Sequence, residues 1–153
     1  MRMLTIAVGL IAGVLILFGK PSSVRAQTPV PSVAVVKQVL KLSRNQWIQF
    51  RNYNGRQLVY FTLFVTYKCG LKEIRYSVNS EDLDKQFPLA ECVPFVPYNI
   101  GPNDKVYLTF EPGTAKTVSV QLVFDDDTKS VVRTFKPCKV AGDVTCGVPV
   151  KQP

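Results

Sequence analysis

Residues 58–69 read Leu-Val-Tyr-Phe-Thr-Leu-Phe-Val-Thr-Tyr-Lys-Cys, a short run that is rich in β-branched and aromatic residues. Asn54-Gly55 precedes the run and Cys69-Gly70 closes it. Turn residues of this kind commonly bracket a strand. On a two-residue period one face is apolar or amphipathic and the other is mixed. The apolar face comprises Val59, Phe61, Leu63, Val65 and Tyr67, and the mixed face comprises Leu58, Tyr60, Thr62, Phe64 and Thr66. We therefore expect a strand in the middle of a sheet that packs on a second layer.

Short segments separated by turn residues continue this pattern along the chain. Strands are predicted at 33–42, 46–51, 73–78, 87–92, 105–110, 116–124 and 130–135. The first could also be a short helix, although a strand is favoured, and one helical turn is predicted at 80–83. Asn54-Gly55 predicts a hairpin turn, because both residues tolerate positive φ.

Seven or eight short strands with little helix indicate an all-β fold. The predicted architecture is an antiparallel two-layer sandwich, immunoglobulin-like in general shape, with a barrel as the alternative. The chain lacks the Cys-Trp-Cys signature of immunoglobulin domains, so the likeness is one of shape and carries no function.

The first 26 residues have the organisation of a secretory signal peptide. Arg2 precedes an apolar run at 3–18, and the chain turns polar before Ala26, where we expect cleavage. An uncleaved anchor is the alternative, but the run of about sixteen residues is shorter than the roughly 20 that span a membrane. We expect a secreted or periplasmic protein with no transmembrane span after cleavage.

The expected mature chain divides into three parts. Residues 27–34 form a flexible leader, residues 35–137 the sandwich domain, and residues 138–153 a polar tail with a small disulfide loop. Three of the 19 basic residues belong to the signal, so 16 basic and 11 acidic residues leave a charge of +5. This surplus favours weak contact with anionic surfaces but specifies no partner.

Four cysteines form an even set in a chain that we expect to be exported, so disulfides are predicted. They are Cys69, Cys92, Cys138 and Cys146. Of the three pairings, the in-order one joins Cys69 to Cys92 and Cys138 to Cys146 and needs the simplest topology. A zinc site is disfavoured because the chain has no histidine and no Cys-x-x-Cys pair.

The absence of histidine also argues against an enzyme. Nucleophilic triads and His-based acid–base catalysis cannot form, and most acidic residues lie beside predicted turns. We expect no enzymatic activity, no catalytic residue and no cofactor. The run at 125–127, three consecutive aspartates, could bind calcium, but it lacks the spaced ligands of a calcium loop and is favoured as a solvated hairpin tip.

Basic residues are spread over several predicted strands. They are Lys41, Arg51, Arg56, Lys68, Lys72, Arg75, Lys116 and Arg133. With Trp47, Tyr53 and Tyr60 they could line a face for an anionic glycan or lipid headgroup, but a solvated sheet face is favoured. A nucleic-acid partner is not expected for an exported chain.

Residues 93–102 read Val-Pro-Phe-Val-Pro-Tyr-Asn-Ile-Gly-Pro, which is unusually apolar for a loop. The favoured interpretation is a lid that hides these side chains over the open end of the sandwich. The functional alternative is a rigid loop that presents Phe95, Tyr98 and Ile100 to a partner. Between these two interpretations we expect a split outcome, in which Phe95 turns inward beside Cys92 and Tyr98 points outward.

These observations favour a non-enzymatic, exported domain that binds another protein. The alternative is an envelope domain that binds an anionic glycan or lipid headgroup through its basic strands. A third hypothesis is assembly by strand exchange, with residues 27–35 as the donated strand.

Overall fold

The structure is a computed structural model that describes residues 29–139 and 144–151. The predicted signal peptide, its cleavage site and the start of the leader lie outside the described residues. None of the helices in the described ranges is long and apolar enough to cross a membrane.

Two antiparallel sheets make up most of the described regular structure. The elements are α1 (Val33–Leu42), β1 (Gln49–Tyr53), β2 (Arg56–Tyr60), α2 (Thr62–Thr66), β3 (Leu71–Val78), β4 (Lys85–Gln86), β5 (Tyr107–Phe110), β6 (Val118–Phe124), β7 (Arg133–Pro137) and β8 (Gly147–Pro149). One sheet has the order β1-β2-β5 and the other the order β4-β3-β6-β7-β8. Side chains from both sheets meet in one hydrophobic core. The predicted all-β class is confirmed, but neither described sheet closes on itself, so the barrel alternative is wrong.

The stretch 58–69 is not a single strand. β2 ends at Tyr60, α2 follows, and a 3-10 turn occupies Lys68–Gly70. Phe61, Phe64 and Val65 are buried at a spacing of three and four residues, which is the spacing of one helix face. A short apolar run fits the spacing of a strand or of a helix. Here the helical spacing is found, and the Phe61 ring stacks on the Phe87 ring with centroids 4.2 Å apart.

The predicted strand at 33–42 is also wrong, because these residues form α1. The Ser32 side chain accepts a hydrogen bond from the Val35 N–H at 3.4 Å and caps the helix. Val36 and Leu40 lie four residues apart on its buried face. A Cβ at Gly70 would lie 2.6 Å from Val36 Cγ2, so the helix rests directly on the backbone of the 3-10 turn. The end of the segment proposed for strand exchange is therefore helical.

The hairpin signal is confirmed at the β1–β2 turn. Asn54 and Gly55 have φ values of 48° and 67°, and Tyr53 pairs with Arg56 across them. β1 begins three residues later than predicted. Trp47, expected on the outer face, is buried, and its indole N–H donates to the Leu40 carbonyl oxygen at 2.8 Å.

The predicted strands at 73–78, 105–110, 116–124 and 130–135 correspond to β3, β5, β6 and β7 with shifted ends. The predicted helical turn at 80–83 is absent, and 87–92 is not a strand. The short β4 ends before Phe87, whose ring is buried, and Pro88 then cannot donate to a sheet ladder.

Both predicted disulfides are confirmed, with Cα–Cα distances of 4.7 Å for Cys69–Cys92 and 5.6 Å for Cys138–Cys146. The predicted tail, however, contains β8. Cys146, directly before β8, exchanges backbone hydrogen bonds of 2.8 and 3.1 Å with Phe50 of β1, and β8 pairs with β7 in the other sheet. A Cβ at Gly147 would overlap the Ile48 carbonyl oxygen, so only glycine fits at this crossing.

Candidate functional site

The apolar loop, which is the predicted stretch 93–102 extended here to 103, lies on the surface. Phe95, Tyr98 and Ile100 are 66, 40 and 37 % exposed, so the lid interpretation is wrong for these three side chains. The expected inward turn of Phe95 is wrong as well. The loop makes two successive turns. The Val96 N–H donates to the Val93 oxygen, and the Asn99 N–H donates to the Val96 oxygen. In this conformation Pro97 is buried and Phe95 is exposed.

Three consecutive residues, 67–69, hold this loop. Cys69 binds the start of the loop through its disulfide to Cys92. The Lys68 ammonium binds the end of the loop through Asp104, with Nζ and Oδ2 2.6 Å apart. Between these anchors the Tyr67 ring meets the Tyr98 ring edge-on, with centroids 5.6 Å apart. We call residues 67–69 the base turn.

The ion pair of the base turn is shielded from water. Lys68 is 5 % exposed, and the Asp104 side chain is 12 % exposed. Asp104 Oδ2 also accepts a hydrogen bond of 3.0 Å from the Gly101 N–H, inside the loop. The Lys68 ammonium, and then the Gly101 N–H, lower the pKa of the Asp104 carboxyl below its ordinary value. The carboxylate therefore joins the base turn to the C-terminal end of the apolar loop.

The sequence pattern placed Lys68 among solvated basic residues, and the structure places it in the interior. The signal that could have revealed this is its position at the end of an apolar run, directly before a disulfide cysteine. A lysine at such a site is buried with its neighbours and needs a carboxylate partner.

Four of the other predicted basic residues are divided between the two sheets. Arg51 and Arg56 lie on one face of β1 and β2, which also carries Tyr53 and Tyr60. Lys72 and Arg75 lie on β3, in the other sheet. Arg56 pairs with Glu111, Lys72 with Asp127, and Arg75 with Glu73. The guanidinium of Arg51 lies 4.7 Å from the centre of the Tyr53 ring. Tyr60 packs on Tyr107, with ring centroids 5.4 Å apart.

Lys41 and Arg133, by contrast, come together with Trp47 at a groove beside α1. We call it the basic groove; its lining residues are Lys37, Leu40, Lys41, Arg44, Trp47, Phe124, Ser130, Val131 and Arg133. Lys37 and Arg44 are basic residues of this groove that the sequence pattern did not single out.

The aspartates at 125–127 form the tip of the β6–β7 connection. Asp126 binds the Lys37 ammonium and accepts a hydrogen bond from the Thr128 hydroxyl, which together lower its pKa to about 2. Asp127 binds Lys72, and burial raises the pKa of Asp125. Within residues 29–139 and 144–151 no group of three or more His, Cys, Asp or Glu side chains is arranged to hold a metal ion.

A cavity of about 880 Å³ adjoins the apolar loop. Tyr76 and Lys85 border it on the side of β3 and β4, Tyr107 borders it on β5, and Ile100 closes the end next to the loop. The loop and this cavity thus form one continuous surface at the edge where β4 and β5 face each other.

We find no match between this chain and any protein-family model, curated protein or solved structure with which it was compared.

Proposed function

We propose that this protein is an exported, non-enzymatic module that binds another protein through the apolar loop. The observation that carries the proposal is the anchoring of an exposed apolar segment at its start, middle and end by three consecutive residues. Two disulfides support folding in an oxidising compartment, which we take to be the periplasm or the extracellular medium.

The anchors matter because binding normally requires that a loop lose conformational freedom. Ordering a side chain at an interface costs about 0.5–1.5 kcal/mol, and a loop already fixed in its bound shape avoids part of this cost. The apolar loop contains three prolines between two anchors, and its exposed aromatic side chains provide contact area with few rotatable bonds. Phe95 is the expected anchor residue, because it is the most exposed aromatic of the loop.

The chemistry of the loop specifies the kind of partner surface. Residues 93–103 contain no charged side chain, although the whole chain has a formal charge of +8. An uncharged apolar projection fits an apolar recess on a folded protein, and its binding should depend little on ionic strength. The adjoining cavity extends the surface available to the partner.

The test is to capture a partner from envelope and culture fractions on the immobilised protein, purify it, and measure its affinity for single-residue variants. Phe95→Ala should weaken binding by at least about tenfold, as expected for an aromatic anchor. Leu42→Ala is the matched control, because Leu42 is an apolar residue on α1 that is 76 % exposed, against 66 % for Phe95. Both variants should keep the free energy of unfolding within about 0.5 kcal/mol of the parent.

The proposal fails if the captured protein binds the Phe95→Ala variant as tightly as it binds the parent. Binding that disappears between about 0.05 and 0.5 M salt would also contradict it, because apolar contacts are not screened. Sedimentation with lipid vesicles that Phe95→Ala abolishes would assign the loop to a membrane surface and would likewise refute a protein partner.

A further inference from the structure

The basic groove combines an apolar floor with a cationic rim. Leu40, Trp47 and Phe124, all buried in the core, form the floor of a cavity of about 450 Å³. The charged lining residues are Lys37, Lys41, Arg44 and Arg133, and none of the lining side chains in the described part of the chain is acidic. Its volume lies within the range of pockets that hold small molecules.

Three of these four cations have no acidic partner among residues 29–139 and 144–151. Lys37 is paired with Asp126. The ion pairs of the described residues include none for Lys41, Arg44 or Arg133. Arg44 instead donates a hydrogen bond of 3.2 Å to the backbone oxygen of Lys41.

Arg133 is the most informative of the three. Its Nε is buried and makes no hydrogen bond to any atom of the described residues. Its guanidinium carbon lies 5.9 Å from the centre of the Trp47 ring, which forms part of the groove floor. A buried donor without a partner is costly, so this N–H needs an acceptor, which a water, an ion or a ligand can supply.

The charge balance favours an anion at this position. α1 ends at Leu42, and its C-terminal end contributes about half a negative charge. Three unneutralised positive charges outweigh this contribution. Asp126, the acid that pairs with the groove residue Lys37, also accepts a hydrogen bond from Thr128.

We propose that the basic groove binds a small amphiphile with one anionic head, of the chemical class of the long-chain carboxylates. The carboxylate accepts hydrogen bonds from Arg133, whose planar guanidinium suits two parallel bonds, and is attracted by Lys41 and Arg44. The apolar body lies on the exposed Val131 side chain and on the small accessible parts of Trp47 and Phe124. An inorganic anion would leave Val131 exposed to water, and an uncharged apolar molecule would not use the positive charge of Arg133.

The chain carries a built-in reporter for this site, because Trp47 is its only tryptophan. The experiment titrates the purified chain with dodecanoate below its micelle-forming concentration and follows Trp47 fluorescence, with isothermal calorimetry as a second readout. We expect a saturable change for dodecanoate and no saturable change for acetate, dodecanol or dodecyltrimethylammonium at the same concentrations.

Variants then locate the site. Arg133→Gln should weaken dodecanoate binding by about tenfold or more, because it removes a charge-assisted hydrogen bond. Val131→Glu places a carboxylate on the exposed rim without altering the core and should weaken binding comparably. Lys116→Gln, an equal charge change outside the groove, is the matched control and should have little effect.

Equal affinity for dodecanoate and dodecyltrimethylammonium would overturn the proposal. So would parent-like binding by the folded Val131→Glu variant, which remains informative if Arg133→Gln fails to fold. Loss of binding in Phe95→Ala would place the acyl chain on the apolar loop and refute the groove. Binding to anionic phospholipid vesicles without binding to free dodecanoate would refute a small-molecule site.

Discussion

Replacing Asp104 by Asn tests the ion pair that closes the apolar loop. Asparagine keeps the shape of the side chain and its acceptor for the Gly101 N–H, but leaves the Lys68 ammonium without a carboxylate. Breaking one side of a buried pair costs about 3–5 kcal/mol, because the remaining charge stays buried. Since the Asp104 side chain is 12 % exposed, some water reaches the pair, and we expect a loss near the lower end, about 3 kcal/mol.

Lys68→Met is the matched variant, because it removes the other charge and keeps an apolar side chain of similar length. Asp104 then retains the Gly101 N–H and its partial contact with water, so the expected loss is smaller, about 1–2 kcal/mol. The double variant should lie close to Lys68→Met, since it leaves neither charge buried.

The measurement is urea denaturation of the oxidised protein, followed by circular dichroism, with both disulfides intact. A larger loss for Lys68→Met than for Asp104→Asn would refute the reasoning, because the buried ammonium would then not be the costly group. The difference in the free energy of unfolding between the parent and Asp104→Asn should also depend on pH. The folded state lowers the pKa of Asp104, so the ion pair contributes fully above about pH 4 and its contribution disappears as the pH falls further.

Three further predictions concern the rest of the molecule. Gly147→Ala should lower the free energy of unfolding by about 1–3 kcal/mol or prevent folding, because a Cβ there overlaps a backbone oxygen, and an unchanged melting temperature would contradict this. Phe61→Ala should cost about 3–5 kcal/mol and Thr62→Ala less than about 0.5 kcal/mol, since only Phe61 is buried; equal losses in denaturant titrations would show that the helical phase is wrong. An NMR titration should place the pKa of Asp126 at about 2, and Lys37→Gln should raise it toward 3.8; no change would exclude Lys37 as the cause.

Local patterns in the sequence predicted the features that depend on neighbouring residues. The alternation at 116–124 predicted β6, because its alternate side chains enter one core. Asn54-Gly55 predicted the hairpin, because positive φ is a property of those two residues. The in-order cysteine pairing followed from chain proximity and is confirmed.

The errors arose where tertiary contacts decide between two local patterns. The apolar runs at 33–42 and 61–65 fit a strand or a helix. Both have the helical spacing in the structure, where Val36 packs on Gly70 and Phe61 packs on Phe87. β8 has three residues, among them glycine and proline, so it carries no periodic signal.

For the candidate sites, too, the sequence predicted local composition but not the contacts between distant residues. The apolar loop was predicted from its composition, but its three anchors depend on the position of the base turn, which no local pattern specifies. The basic groove joins residues of α1 to Arg133 of β7, some ninety positions apart in the chain. Charge counting predicted that basic residues were available and could not predict which of them lack a carboxylate.

The position of residues 146–149 has a consequence for how the molecule opens. Main-chain hydrogen bonds from these residues reach β1 in one sheet and β7 in the other, so the two sheets are bound along that edge. At the opposite edge β4 and β5 are separated by the cavity of about 880 Å³. Local unfolding should therefore begin at β4 and β5, whose amides should exchange with deuterium through small openings. The amides of Phe50 and Cys146 should exchange only when the whole domain unfolds, and reduction of the Cys138–Cys146 disulfide should abolish that difference.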